Sequence, residues 1–125
     1  MSNGKKIYYL NGKRHRTDGP ALDYLDGVQD WYFKNCRHRE DGPAYETKNG
    51  VQEWWLNGER HRIGGPAVIW PKDKVQACFQ NGLEHREDGP AYIAGSYYCW
   101  WYQGKKLDCK TQEEFESLIR LKAFW

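Results

Sequence analysis

The sequence predicts a mainly β chain: an antiparallel β-meander of about four 23-residue hairpin repeats with one C-terminal capping α-helix. Three observations point there. The phrase HRTDGPA at His15 returns as HREDGPA at His38, HRIGGPA at His61 and HREDGPA at His85, at intervals of 23, 23 and 24 residues. A pair of rings precedes three of the four phrases and Cys78-Phe79 the fourth, and from Thr111 onward the apolar residues change to helical spacing. A unit of fixed length that recurs in this way buries its apolar face only against its neighbours, so the chain reads as a stack.

The elements follow in order. Residues 1–6 read as a flexible N-terminus, 7–108 as the repeat array and 109–125 as the capping helix. Aligned on the histidines, Tyr8, Trp31, Trp54, Cys78 and Trp100 form one column, and Tyr9, Tyr32, Trp55, Phe79 and Trp101 the next. The segments around them, VQDWYF from Val28, VQEWWL from Val51 and VQACFQ from Val75, are rich in β-branched and aromatic residues and read as strands. So do YYL at Tyr8, YYCWWY from Tyr97, and a second set that follows each phrase: ALDYL from Ala21, AYETK from Ala44, AVIW from Ala67 and AYIAG from Ala91. Asp26-Gly27 and Asn49-Gly50 are expected to join the two sets through two-residue hairpin turns. The third connection is longer, through Pro71 to Lys74, and the fourth shorter, around Gly95 and Ser96. Roughly nine strands result.

NGKRHRTDGP and its equivalents are too polar and too rich in Gly and Pro to be strand throughout, and read as the return loop. Gly12, Gly58, Gly82 and Gly104 share a column in which the second unit carries Asn35, which predicts a positive φ there. Thr111 and Glu114 suggest a capping box, and Phe115, Leu118 and Ile119 the apolar stripe of a helix over 111–121. That stripe is expected to close the open end of the sheet, with Phe124 and Trp125 extending the contact.

Composition bounds the class. A chain of 125 residues suits one domain. With seven Trp and nine Tyr and few Leu, Ile or Val, the core must be built largely of rings. No run of about 18 apolar residues occurs, and MSNGKK lacks a signal peptide's apolar stretch, so a soluble, cytoplasmic protein is expected. Cys36, Cys78, Cys99 and Cys109 form no CxxC and do not follow the repeat, which favours reduced thiols. A formal charge of +2 is too small to mark a nucleic-acid binder by itself.

Alternation along the strands sends Trp31, Phe33, Trp54, Leu56, Trp100 and Tyr102 to one face, read as continuous core. The other face combines Tyr32, Trp55, Phe79 and Trp101 with Asp30 and Glu53. It is expected to be partly wet, and it either covers itself, where the sheet curls or receives the helix, or serves as the candidate protein-binding surface. Zinc is disfavoured, because histidines in consecutive units lie two strands apart, roughly 9 to 10 Å, whereas ligand nitrogens sit about 2 Å from the metal. Catalysis is disfavoured too: His15, His38 and His85 each have an Asp three residues on, but no nucleophile recurs beside them, and His61 has Gly64 in place of the Asp. Arg and Asp are expected to pair across the loop, with His bonding backbone. An alternative use of the phrases is anion binding, for a nucleotide or nucleic acid, by Arg14, Arg16, Arg37, Arg39, Arg60 and Arg62 as a stepped ladder. Asp18, Glu40, Asp41, Glu87 and Asp88 neutralise the same edge, and Glu84 takes the arginine's place in the last unit.

The hairpin plan, the paired rings followed by NG and the 23-residue unit resemble MORN-type repeats, in the bacterial and phage variants built around W-Y-x-N-G. The resemblance spans about Tyr8 to Leu107. It implies an architecture of stacked hairpins and a role as a scaffold, a membrane-associated platform, or an antitoxin-like or immunity partner. The HRxDGPA loop departs from the usual pattern and speaks against a lipid role. The expectation is therefore a non-enzymatic protein, with no cofactor or metal and no membrane insertion, that binds a protein partner as a phage or mobile-element inhibitor or immunity-type factor. The unpaired edge around Ile7 to Leu10 would admit a second copy, so a homodimer is compatible with the sequence without being required by it.

Overall fold

The computed structural model describes residues 5–24 and 26–121. Nine strands form one antiparallel sheet whose spatial order is their order in the chain. They are β1 (Lys5–Ile7), β2 (Leu22–Tyr24), β3 (Gln29–Asp30), β4 (Tyr45–Glu46), β5 (Gln52–Glu53), β6 (Val68–Trp70), β7 (Val75–Ala77), β8 (Tyr92–Ala94) and β9 (Tyr97–Cys99). The mainly β meander with a helix at its C-terminal end is thus the observed architecture. β1 takes in Lys5 and Lys6, so the strand begins before the expected array boundary.

The nominal return loops hold more order than their composition suggests. Five small hairpins leave the sheet, one after each first-column residue: Tyr9–Leu10 with Lys13–Arg14, Tyr32–Phe33 with Cys36–Arg37, Trp55–Leu56 with Glu59–Arg60, Phe79–Gln80 with Leu83–Glu84, and Trp101–Tyr102 with Lys105–Lys106. Each is closed by a two-residue turn with positive φ at both positions, such as Asn11 (51°) with Gly12 (78°) and Lys34 (50°) with Asn35 (68°). That is the mirror-image turn whose twist matches paired strands. The tight Asn-Gly turn therefore lies here, with the predicted positive φ, and not between the long strands.

Between the long strands the expected two-residue turn is replaced by a three-residue one. Glu46 faces Gln52, which leaves five residues between the paired positions, and an odd number cannot close on a two-residue loop. Instead the Thr47 N–H donates to the Val51 carbonyl (3.0 Å), the Gly50 N–H donates to the Thr47 carbonyl (3.1 Å), and Gly50 at φ 90° absorbs the extra residue as a bulge. Tyr24, Gly27 and Val28 close in the same way. At the third connection the added residue is taken up by a short 3-10 turn over Pro71–Asp73, ending on Lys74 at φ 55°.

The core is narrower than a ring-rich composition suggests. Its spine is the alanine that ends each phrase, with Ala21, Ala44 and Ala67 wholly buried and Ala91 nearly so, flanked by Leu22, Val68, Val75 and Ala77. Most rings are half-buried around this spine. The exception is the C-terminal end, where helix α1 (Gln112–Leu121) packs Phe115, fully buried, against Trp100 and Leu107, with Leu118 and Ile119 alongside. The Thr111 hydroxyl accepts from the Glu114 N–H (3.2 Å), giving the predicted N-cap. Trp100 is tied to the helix as its indole N–H donates to Gln112 Oε1 (2.8 Å). Phe124 and Trp125 lie outside the described residues.

Candidate functional site

The recurrent residues of the HRxDGPA phrase have structural tasks. The histidine Nδ1 accepts a hydrogen bond from the first turn residue of the following hairpin: His15 from Lys34, His38 from Asn57, His61 from Asn81 and His85 from Gln103, each 2.9 Å. Acceptance at Nδ1 requires that nitrogen to be unprotonated. Two main-chain bonds reinforce every step, for example Gly58 N–H to the Arg37 carbonyl (2.9 Å) and Arg39 N–H to the Trp55 carbonyl (3.0 Å). The histidines are therefore staples between hairpins.

The arginine after the histidine lies over the first-column ring. Arg16 sits 4.2 Å from the Tyr8 centroid, Arg39 4.0 Å from Trp31 and Arg62 3.8 Å from Trp54. Its Nε donates to the Asp two residues on, in Arg16 to Asp18 (2.9 Å), Arg39 to Asp41 (2.9 Å) and Arg86 to Asp88 (2.8 Å). Its Nη1 donates to the proline carbonyl, as in Arg39 to Pro43 (3.1 Å). The hydrogen bond and charge of the arginine hold Asp18, Asp41 and Asp88 below the usual carboxylate range. Glycine follows because a Cβ at Gly19 or Gly89 would stand 2.8 Å from the guanidinium carbon.

The arginine before the histidine belongs to a separate row. Arg14 lies over Tyr32 (5.5 Å), Arg37 over Tyr45 (4.9 Å) and Trp55 (5.5 Å), and Arg60 over Trp55 (5.3 Å) and Phe79 (5.4 Å). Asp30 and Glu53, expected to be partly wet, are buried beneath this row. Arg37 grips Asp30 through Nε (3.0 Å) and Nη2 (3.0 Å). Burial pushes the Asp30 carboxyl above the ordinary carboxylate value, and Arg37 offsets only part of that. Glu53 accepts from the indole N–H groups of Trp55 (3.1 Å) and Trp70 (2.9 Å), with Arg60 at 3.9 Å.

The six candidate arginines thus form two rows on two ring columns, not one ladder. Four of them have a carboxylate partner, while Arg14 and Arg62 have none within ion-pair distance among the described residues. The candidate rings Tyr32, Trp55, Phe79 and Trp101 lie along one side of successive hairpins, all half-buried and interleaved with Arg14, Arg37 and Arg60. Among the described residues no cluster of three or more His, Cys, Asp or Glu could hold a metal, and no helix is long and apolar enough to cross a membrane.

The loops are stepped, so a groove runs between each and the next. Trp31 and Phe33 floor the first, and Trp54 and Leu56 the second. In the third, Cys78 and Gln80 stand at those positions, and a cavity of about 390 Å³ reaches down to Gln76 and Ile93 of the sheet. Sequence reasoning noted Cys78 in the ring column and Gly64 in place of Asp, but not that the two departures meet in one cavity.

No family model matches the chain, and no curated protein or solved structure is significantly similar to it. What the fold and site define is an antiparallel hairpin meander with a helical cap.

Proposed function

We propose that this is a non-enzymatic binding protein whose ligand is another protein, gripped along the hairpin side that carries Tyr32, Trp55, Phe79 and Trp101. One observation carries the reading: these rings are half-buried along one side of successive hairpins, with Arg14, Arg37 and Arg60 lying over Tyr32, Trp55 and Phe79. Aromatic and arginine side chains supply most binding energy in protein interfaces, and here packing against their neighbours already limits their freedom. A scaffold or an inhibitor or immunity-type role in a cytoplasm, as the MORN-type resemblance implies, fits a surface of this kind. The anion-ladder alternative has less support, because Arg16, Arg37 and Arg39 spend donors on Asp18, Asp30 and Asp41, and Arg60 lies 3.9 Å from the Glu53 carboxylate.

The test is affinity capture from lysate with the intact chain, read by native mass spectrometry. A stoichiometric protein companion that survives about 0.5 M salt and is lost with Tyr32→Ala or Trp101→Ala is expected. A companion that is nucleic acid, or one released steeply by salt, would favour the alternative instead.

A further inference from the structure

The third groove is the place where the chain departs from its own pattern twice. In the first two grooves an indole, Trp31 or Trp54, fills the floor and carries the guanidinium of Arg39 or Arg62. At the equivalent place Cys78 leaves no ring beneath Arg86 among the described residues, yet Arg86 is held as its counterparts are, by Asp88 (2.8 Å) and the Pro90 carbonyl (3.2 Å). Arg86 is thus a fixed cationic plate facing a slot whose ring is missing.

The second departure supplies a charge. Arg62 donates Nη1 to the Pro66 carbonyl (3.1 Å) and stacks on Trp54, but Gly64 stands where the other loops carry the carboxylate. Gly64 has φ 87°, so the backbone there differs from that of Asp18, Asp41 and Asp88. Arg62 is held in place by its stacking and its carbonyl contact, and its Nε has no hydrogen-bond partner among the described residues. Both vacancies open into the same 390 Å³ cavity, which Gln76 and Gln80 also line. Its size falls within the range of small-ligand pockets.

We propose that this cavity binds a small aromatic monocarboxylate. The flat ring occupies the slot that Trp31 and Trp54 fill in the preceding grooves, against Arg86, and the carboxylate takes the role on Arg62 that Asp18 and Asp41 play on theirs. A single charge suits the site better than a phosphate, because Glu87 and Asp88 line its other wall and would repel a polyanion. Guanidinium groups favour this pairing, with one face for a ring and an edge for a carboxylate. The proposal goes beyond the protein-binding reading and does not rest on it, since none of the rings of that surface lines the cavity.

Isothermal titration of the intact chain with indole-3-acetate tests it, with indole-3-acetamide as the neutral control. We expect one saturable site with Kd below about 1 mM, weakened roughly tenfold or more by Arg62→Gln and by the neutral probe. Cys78→Trp restores the missing ring and should abolish binding while the melting temperature is kept or raised; Cys78→Ala should bind like the parent chain. Absence of saturable binding in the parent chain would overturn the proposal, as would equal affinity in a folded Cys78→Trp variant. Should that variant fail to fold, equal affinity for the neutral probe or in Arg62→Gln overturns it as well.

Discussion

The Nδ1 atom of His38 accepts a 2.9 Å hydrogen bond from the main-chain N–H of Asn57, in the turn of the next hairpin. The same bond recurs at His85 with Gln103, but His85 is buried and packs its ring 4.8 Å from Tyr102. His38→Ala lets water reach an exposed N–H and should cost about 1 kcal/mol. His85→Ala also leaves a cavity and should cost about 2–3 kcal/mol. Urea unfolding of the two variants measures the difference.

The glycine of each phrase leaves room for a guanidinium. A Cβ at Gly42 would lie 3.0 Å from the Arg39 guanidinium carbon, and Arg39 is anchored to Asp41, the Pro43 carbonyl and the Trp31 face. Gly42→Ala should therefore destabilise by about 1–2 kcal/mol. In an Arg39→Ala background the conflict vanishes, and the same change should be neutral or slightly stabilising through the unfolded chain. A double-mutant cycle by thermal or urea unfolding reads the coupling.

Acid should loosen the loops in a predictable window. Arg16, Arg39 and Arg86 hold Asp18, Asp41 and Asp88 below their ordinary value, so these carboxylates contribute stability above about pH 4 and lose it as pH falls through the lowered values. Burial raises Asp30 and Glu84, whose contribution has the opposite sign: it favours the fold at low pH and fades as pH rises past the ordinary carboxylate value. The double variant Asp41→Asn with Asp88→Asn should be less stable than the parent at pH 7. The two should converge as pH falls below the lowered values of Asp41 and Asp88, where these carboxyls are protonated in both states. Urea midpoints across that range decide it.

Glu53 accepts from two indoles in one buried spot, Trp55 and Trp70, with the Arg60 guanidinium 3.9 Å away. Glu53→Leu strands two indole N–H groups and a half-buried guanidinium, and should cost about 3–5 kcal/mol. Glu53→Gln keeps an acceptor oxygen and should cost clearly less. Chemical denaturation of both, compared with Trp70→Phe, separates the indole contact from the charge.

The meander, its strand order and the C-terminal helix were legible in the sequence because period and ring columns are properties of backbone spacing. The turns were misplaced, since Asn-Gly reads alike in a two-residue turn and in a bulged three-residue one; only register, Glu46 against Gln52, distinguishes them. Burial of Asp30 and Glu53 was hidden because alternation assigns a face without saying what covers it. Arginines from the second strands of the small hairpins cover that face, and those strands lay inside segments that composition marks as loop. The phrase itself could be read as Arg pairing with Asp, but the histidine's reach into the next hairpin depends on how hairpins stack.

Each histidine acceptor is made before its donor: His15 precedes Lys34, His38 precedes Asn57, and the other two follow suit within twenty residues. The molecule therefore has a polarity. A chain growing from its N-terminus presents a waiting nitrogen to every new turn as it arrives, so assembly can proceed by short closures, the kind that fold fastest. A chain cut back from its C-terminus, by contrast, leaves its last histidine with an unanswered acceptor.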